Sequence, residues 1–108
     1  MERVTIPQIT ATFRVHIYMS GPIEVAKQVI RAECAREGLC VTVDPTLFIY
    51  VGGEETGFVV GLLNYPRFPV TPDELVNRAR LLMSLLLAAT YQDTGLLVTP
   101  TTTERISR

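Results

Sequence analysis

The sequence predicts an α+β domain of ferredoxin-like βαββαβ order, an antiparallel sheet with two helices on one face. Three observations predict it: a period-two alternation near the start, two segments bracketed by helix start and stop residues, and β-branched runs between and after them. With 108 residues, the chain fits one domain over 1–108, with 1–8 and 101–108 expected as tails or edge extensions.

The first strand is expected from Ile9 to Met19. Ile9, Ala11, Phe13, Val15, Ile17 and Met19 share one face, and Thr10, Thr12, Arg14, His16 and Tyr18 share the other. Ser20-Gly21-Pro22 ends it and opens a helix, with Ser20 or Gly21 as N-cap and Pro22 in the first turn. That helix runs to about Glu37, where Gly38 stops it. Ile23, Ala26, Val29 or Ile30, and Cys34 form its apolar stripe, and Lys27, Arg31, Glu33, Arg36 and Glu37 face water.

Leu39 to Val43 reads as a strand that Asp44-Pro45-Thr46 interrupts, since proline donates no ladder hydrogen bond. Leu47 to Val51 resumes it, after a bend or as a fifth strand. Gly52-Gly53-Glu54-Glu55-Thr56 reads as a hairpin turn and Gly57 to Leu63 as the returning strand. Gly57 and Gly61 share a face, which a helix or ligand could approach closely.

Asn64 to Pro69 is a loop stiffened by two prolines. Thr71-Pro72-Asp73-Glu74 is a strong helix start. Leu75, Val76, Ala79, Leu82, Met83, Leu86 and Ala89 make its core face, yet no charge interrupts any face from Leu81 to Tyr91. A helix apolar all round is covered on more than one side. A two-fold partner is therefore expected against Leu81 and Leu85. Gly95 marks the exit and Leu96 to Thr99 a last strand.

Composition narrows function by exclusion. A formal net charge of −1 supplies no field for nucleic acid or anionic lipid. The longest uncharged apolar run, Leu81 to Ala89, is too short to cross a membrane. Met1 to Pro7 lacks the apolar core of a secretory leader, so a cytoplasmic protein is expected. In that compartment Cys34 and Cys40 are expected to be buried, unpaired thiols. One His and two Cys do not compose a tetrahedral metal set. Neither a Walker, a Rossmann nor a nucleophile-elbow pattern occurs, so no cofactor is expected. All basic residues except Lys27 are Arg, whose planar fork suits carboxylate and phosphate.

Two polar constellations remain. On the open sheet face, Thr12, Arg14, His16 and Tyr18, joined by Phe48, Tyr50 and Phe58, combine a cation, an imidazole and aromatics that could hold a planar anion such as a nucleotide. A solvated or dimer-forming sheet surface is the alternative. Phe58 within Thr56-Gly57-Phe58-Val59-Val60-Gly61 resembles the aromatic strand of RNA-recognition modules. No basic residue precedes the glycine, and Glu54 and Glu55 lie beside it, so RNA binding is rejected. The second constellation sets the acidic hairpin at one end and Arg67 at the other, more than about 20 Å apart within one subunit. Held between prolines, Arg67 could grip an anion or pair with Asp73.

The stretch from Gly38 to Pro69, with Cys40-Val41-Thr42-Val43 and Asn64-Tyr65-Pro66-Arg67-Phe68-Pro69, resembles small phage and prophage proteins without assigned activity. The resemblance implies a viral accessory role, including counter-defence by binding a host protein or sequestering a nucleotide signal. The helix-then-strand C-terminal half resembles the tautomerase superfamily, which works as trimers or hexamers with an N-terminal proline as base. Here Met1-Glu2 begins the sequence and Pro7 is internal.

The leading expectation is a non-enzymatic homo-oligomer binding a small anionic ligand through Arg14, His16, Tyr18, Tyr50 and Arg67. A protein-binding inhibitor or structural module is second, and a small enzyme using His16 as acid–base third.

Overall fold

A computed structural model describes residues 5–108. The first half of the expected N-terminal tail lies outside it. So do Met1 and Glu2, on which the expectations about a leader and an N-terminal base rest. The elements are β1 (Arg14–Ser20), α1 (Ile23–Glu37), β2 (Val41–Tyr50), β3 (Gly53–Leu63), α2 (Pro72–Thr90), β4 (Thr94–Val98) and β5 (Thr103–Ser107). They form an antiparallel sheet in the order β2-β3-β1-β4-β5, the ferredoxin-like order with one strand added beyond β4.

Val15, Ile17 and Met19 of β1 meet Phe58, Val60 and Leu62 of β3 beneath the two helices. Leu75, Ala79, Leu82, Met83, Leu86 and Leu87 of α2 close the core with Ala26 and Ile30 of α1. Each of the larger aliphatic side chains contributes roughly 1.5–3 kcal/mol by leaving water. Leu87 lies off the expected stripe because α2 packs on both the sheet and α1. Leu81 (48% exposed) and Leu85 (38%) stay on the outer side, where the sequence expects a partner.

Several boundaries differ from expectation. β1 begins at Arg14 because β3 ends opposite it, at Leu63, and Ile9 is exposed. Asn64 holds the preceding segment instead. Its side chain donates to Ala11 O and Thr10 Oγ1 and accepts from Val70 N. Pro45 neither interrupts β2 nor creates a fifth strand, because β2 is the outermost strand and one side of its backbone needs no ladder partner. The fifth strand is the C-terminal edge extension, β5. Glu54, Glu55 and Thr56 belong to β3, and the turn is Val51-Gly52, with Gly52 supplying a φ of 84°.

Among the caps, Gly38 and Thr71 act as expected. Gly38 closes α1 in the left-handed region, and Thr71 accepts from Glu74 N ahead of Pro72. Pro22 itself is the N-cap of α1, and Tyr91, at φ 55°, ends α2 in place of Gly95. Gly95 sits in β4, where a Cβ would fall 2.6 Å from Met83 Cε and 2.8 Å from Met19 Cγ. Glu33, expected in water, is buried and paired with Arg36. Cys34 and Cys40 are free; Cys40, expected inside, is exposed and donates to Tyr65 Oη.

No helix among the described residues is long and apolar enough to cross a membrane.

Candidate functional site

The open face of the sheet is built by alternation. With Val15, Ile17 and Met19 turned into the core, Arg14, His16, Tyr18 and Ser20 must face away from it. The register sets their neighbours. Thr42, Gly61, His16 and Val98 lie in one row across four strands. Asp44, Val59, Tyr18, Leu96 and Arg105 form the next row, and Thr46, Gly57 and Ser20 the one after. Phe58 is not on this face: it pairs with Met19 and is fully buried.

The two β3 glycines are used differently. At Gly57 a Cβ would fall 2.2 Å from Met19 O and 2.7 Å from Phe48 Cε2, so the Phe48 ring lies against bare backbone. At Gly61 a Cβ would fall 2.5 Å from Thr42 Oγ1 and 3.6 Å from His16 Cδ2. Glycine there lets a hydroxyl and an imidazole converge over the strand. Arg14, His16, Thr42, Gly61, Leu63 and Tyr65 line a hollow of about 160 Å³ at this point. Complete small-molecule pockets run from about 300 Å³ upward. The hollow therefore suits one end of a ligand, with the rest lying along the face toward Tyr18.

Its chemistry is cationic and donor-rich. Arg14 is exposed and has no ion-pair partner among the described residues. The Tyr65 hydroxyl accepts from Cys40 Sγ and so keeps its own proton to donate into the hollow. Burial first, then the neighbouring Cys40 and Glu33, push the Cys34 thiol up. A thiol so placed is a poor nucleophile, and neither cysteine lines the hollow.

Of the residues expected in the site, Arg14 and His16 share the hollow and Tyr18 adjoins them. Tyr50 is far along β2, beside Gly53. Arg67 is exposed in the loop after β3, its guanidinium 5.3 Å from the Phe68 ring centre, and does not line the hollow. Among the described residues it forms no ion pair with Asp73 or any other acid. Thr42 and Tyr65 were not among the expected residues. Thr42 becomes visible once β2 is continued through Pro45 and set in register with β3.

Two of the larger cavities are less suited. One of about 470 Å³, between the start of α2 and the β4–β5 turn, has its guanidinium occupied: Arg80 is held by both oxygens of Glu104. Another of about 450 Å³ is bordered by Ser20, Glu54, Glu55 and Gln92, with Ser20 Oγ donating to Glu55 at 2.8 Å. Among the described residues no three His, Cys, Asp or Glu side chains are grouped to hold a metal ion.

No protein-family model matches the sequence, and no curated protein matches it. Solved structures do match in fold. A phage SAM lyase in its apo state superposes with TM-score 0.70 at 13% identity, over 97% of each chain. A phage SAM lyase in complex with S-methyl-5'-thioadenosine gives TM-score 0.69 at 11% identity, over 98% of this chain and 97% of the other. CutA1 from Oryza sativa gives 0.48 at 13% identity, over 90% and 81%, too low to carry weight. At these identities the likeness defines the fold. It adds nothing to the tautomerase resemblance, and Pro7 is exposed in the segment before β1.

Proposed function

We propose that this chain is a phage-type protein of the host cytoplasm that binds a small nucleoside ligand bearing a carboxylate or phosphate. The observation that carries this reading is the glycine-floored hollow in which Arg14, His16, Thr42 and Tyr65 converge. Arg14 takes the anionic group, the hydroxyls of Thr42 and Tyr65 offer neutral hydrogen bonds, and Tyr18 supplies a ring along the same face. The ligand-bearing phage protein of the same fold adds support and makes S-adenosylmethionine and S-methyl-5'-thioadenosine the first compounds to try. Sequestering such a compound from a host defence would be its use to a phage. Self-association belongs to the same reading, with the exposed Leu81 and Leu85 stripe as one of the surfaces that could carry it.

The test is a thermal-shift panel of S-adenosylmethionine, S-methyl-5'-thioadenosine and linear and cyclic nucleotides, followed by calorimetry on any that raises Tm. Arg14→Ala should weaken the best ligand by ~1.5–3 kcal/mol, roughly 10- to 150-fold, as for a hydrogen bond to a charged group. No shift with any member of the panel removes the reading. Mass spectrometry of the S-adenosylmethionine sample distinguishes binding from turnover: release of S-methyl-5'-thioadenosine would make the chain an enzyme.

A further inference from the structure

The β2–β3 hairpin is longer than the sheet that supports it. β1 pairs with β3 as far as Gly57, so residues 47–56 project as a two-stranded ribbon. The molecule measures 61 × 30 × 27 Å, and its radius of gyration of 15.7 Å exceeds the ~13 Å of a compact chain this long. An isolated ribbon is marginally stable in water and ordinarily carries polar side chains. This one carries Leu47 (46% exposed), Ile49 (76%) and Val51 (102%), the first two on the helix side of the sheet. Glu54 stands opposite Ile49 on that side and has no ion-pair partner among the described residues.

The complement lies on the same molecule, out of the ribbon's own reach. Between α1 and β2 runs a groove of about 420 Å³ lined by Lys27, Ile30, Arg31, Cys34, Val41 and Val43. Its floor is apolar and its rim cationic. Lys27 is engaged by Glu24 at 3.1 Å, but Arg31 has no ion-pair partner among the described residues. Val43 and Ile49 belong to one continuous strand, about 20 Å apart, so a chain cannot fold its ribbon into its own groove.

We propose that the occupant of the groove is the ribbon of a second copy of this chain, with Leu47 and Ile49 entering between Ile30, Val41 and Val43, and Glu54 meeting Arg31 at the rim. A groove with apolar walls and one free cation fits an apolar ribbon with one free acid better than it fits an all-apolar or a basic partner. Reciprocal exchange gives a two-fold dimer and successive exchange a closed ring. Both cover the ribbon.

Sedimentation or light scattering of the full chain at micromolar concentration should give a multiple of 12.0 kDa. Ile49→Asp should reduce the mass to that of the monomer while leaving the circular dichroism spectrum unchanged, since Ile49 supports no core. Arg31→Glu and Glu54→Arg should each weaken association about fivefold, the upper range for a surface pair, and the double variant should restore it. Ile49→Cys should crosslink to Cys34 of another copy under mild oxidation and give a dimer band. A wild-type monomer overturns the proposal. So does an oligomer that survives Ile49→Asp, or charge swaps that fail to compensate.

Discussion

The two edges of the sheet are handled in opposite ways. β5 is five residues long and is tied down by Glu104 to Arg80 and by Arg108 to Asp93. Short, charged and anchored, it is the kind of edge that proteins use to refuse further strands. β2 at the other edge is ten residues long, its last four stand beyond the sheet, and of these Leu47, Ile49 and Tyr50 are exposed. The difference teaches where recognition is to be sought. One edge is tied to the rest of the chain by ion pairs, and the other is an outermost strand with apolar side chains exposed at its end.

The largest expected effect lies where the ribbon joins the sheet. Phe58 is fully buried, opposite Met19 on one strand and Pro45 on the other. Phe58→Ala should cost ~3–5 kcal/mol, read by urea denaturation, because it leaves a cavity at the root of the β2 edge. If it costs less than about 1 kcal/mol, the root is loosely packed and the contrast between the edges is weaker than drawn.

Leu85→Glu comes next and asks which apolar surface a partner covers. Leu85 is 38% exposed on α2, so a charge there should change stability by no more than about 0.5 kcal/mol in a monomer. If the ribbon is the interface, this variant keeps the wild-type mass in light scattering while Ile49→Asp loses it. The reverse pattern would move the interface to the Leu81 and Leu85 stripe and leave the β2 edge as an ordinary exposed hairpin.

Much of this architecture was legible because it is local. The alternation through Val15, Ile17 and Met19 fixes which side of β1 is core. Gly38, Thr71 and Pro72 mark helix ends by backbone chemistry alone. What was not legible depends on which strand lies beside which. Pro45 argues for a break until β2 is known to be the outermost strand, where a missing donor costs little. Phe58 looks like a face aromatic until the register puts it opposite Met19. The same holds for the site. Arg14, His16 and Tyr18 follow from alternation, but Thr42 reaches Gly61 across a strand boundary and Tyr65 arrives from a loop. The two prolines around Arg67 stiffen its loop, but a stiff setting does not by itself aim a side chain.

The smallest effect tests the closed edge. Glu104 accepts two hydrogen bonds from Arg80, and these hold its carboxyl below the ordinary value of 4.5. A carboxyl whose folded value is depressed adds stability that is fully present above the unfolded value and is lost as pH falls through the folded one. Wild type should therefore melt slightly above Glu104→Gln at neutral pH. The two curves should converge as pH drops below 4.5, and added salt should narrow the gap at neutral pH because the pair is at the surface. Hydrogen exchange gives the sharper reading. In Glu104→Gln the β5 amides should exchange faster, while those of β2 and the ribbon stay as in wild type. Faster exchange at both edges would mean that they are coupled through the sheet, and β5 could not then be treated as closed independently of what happens at β2.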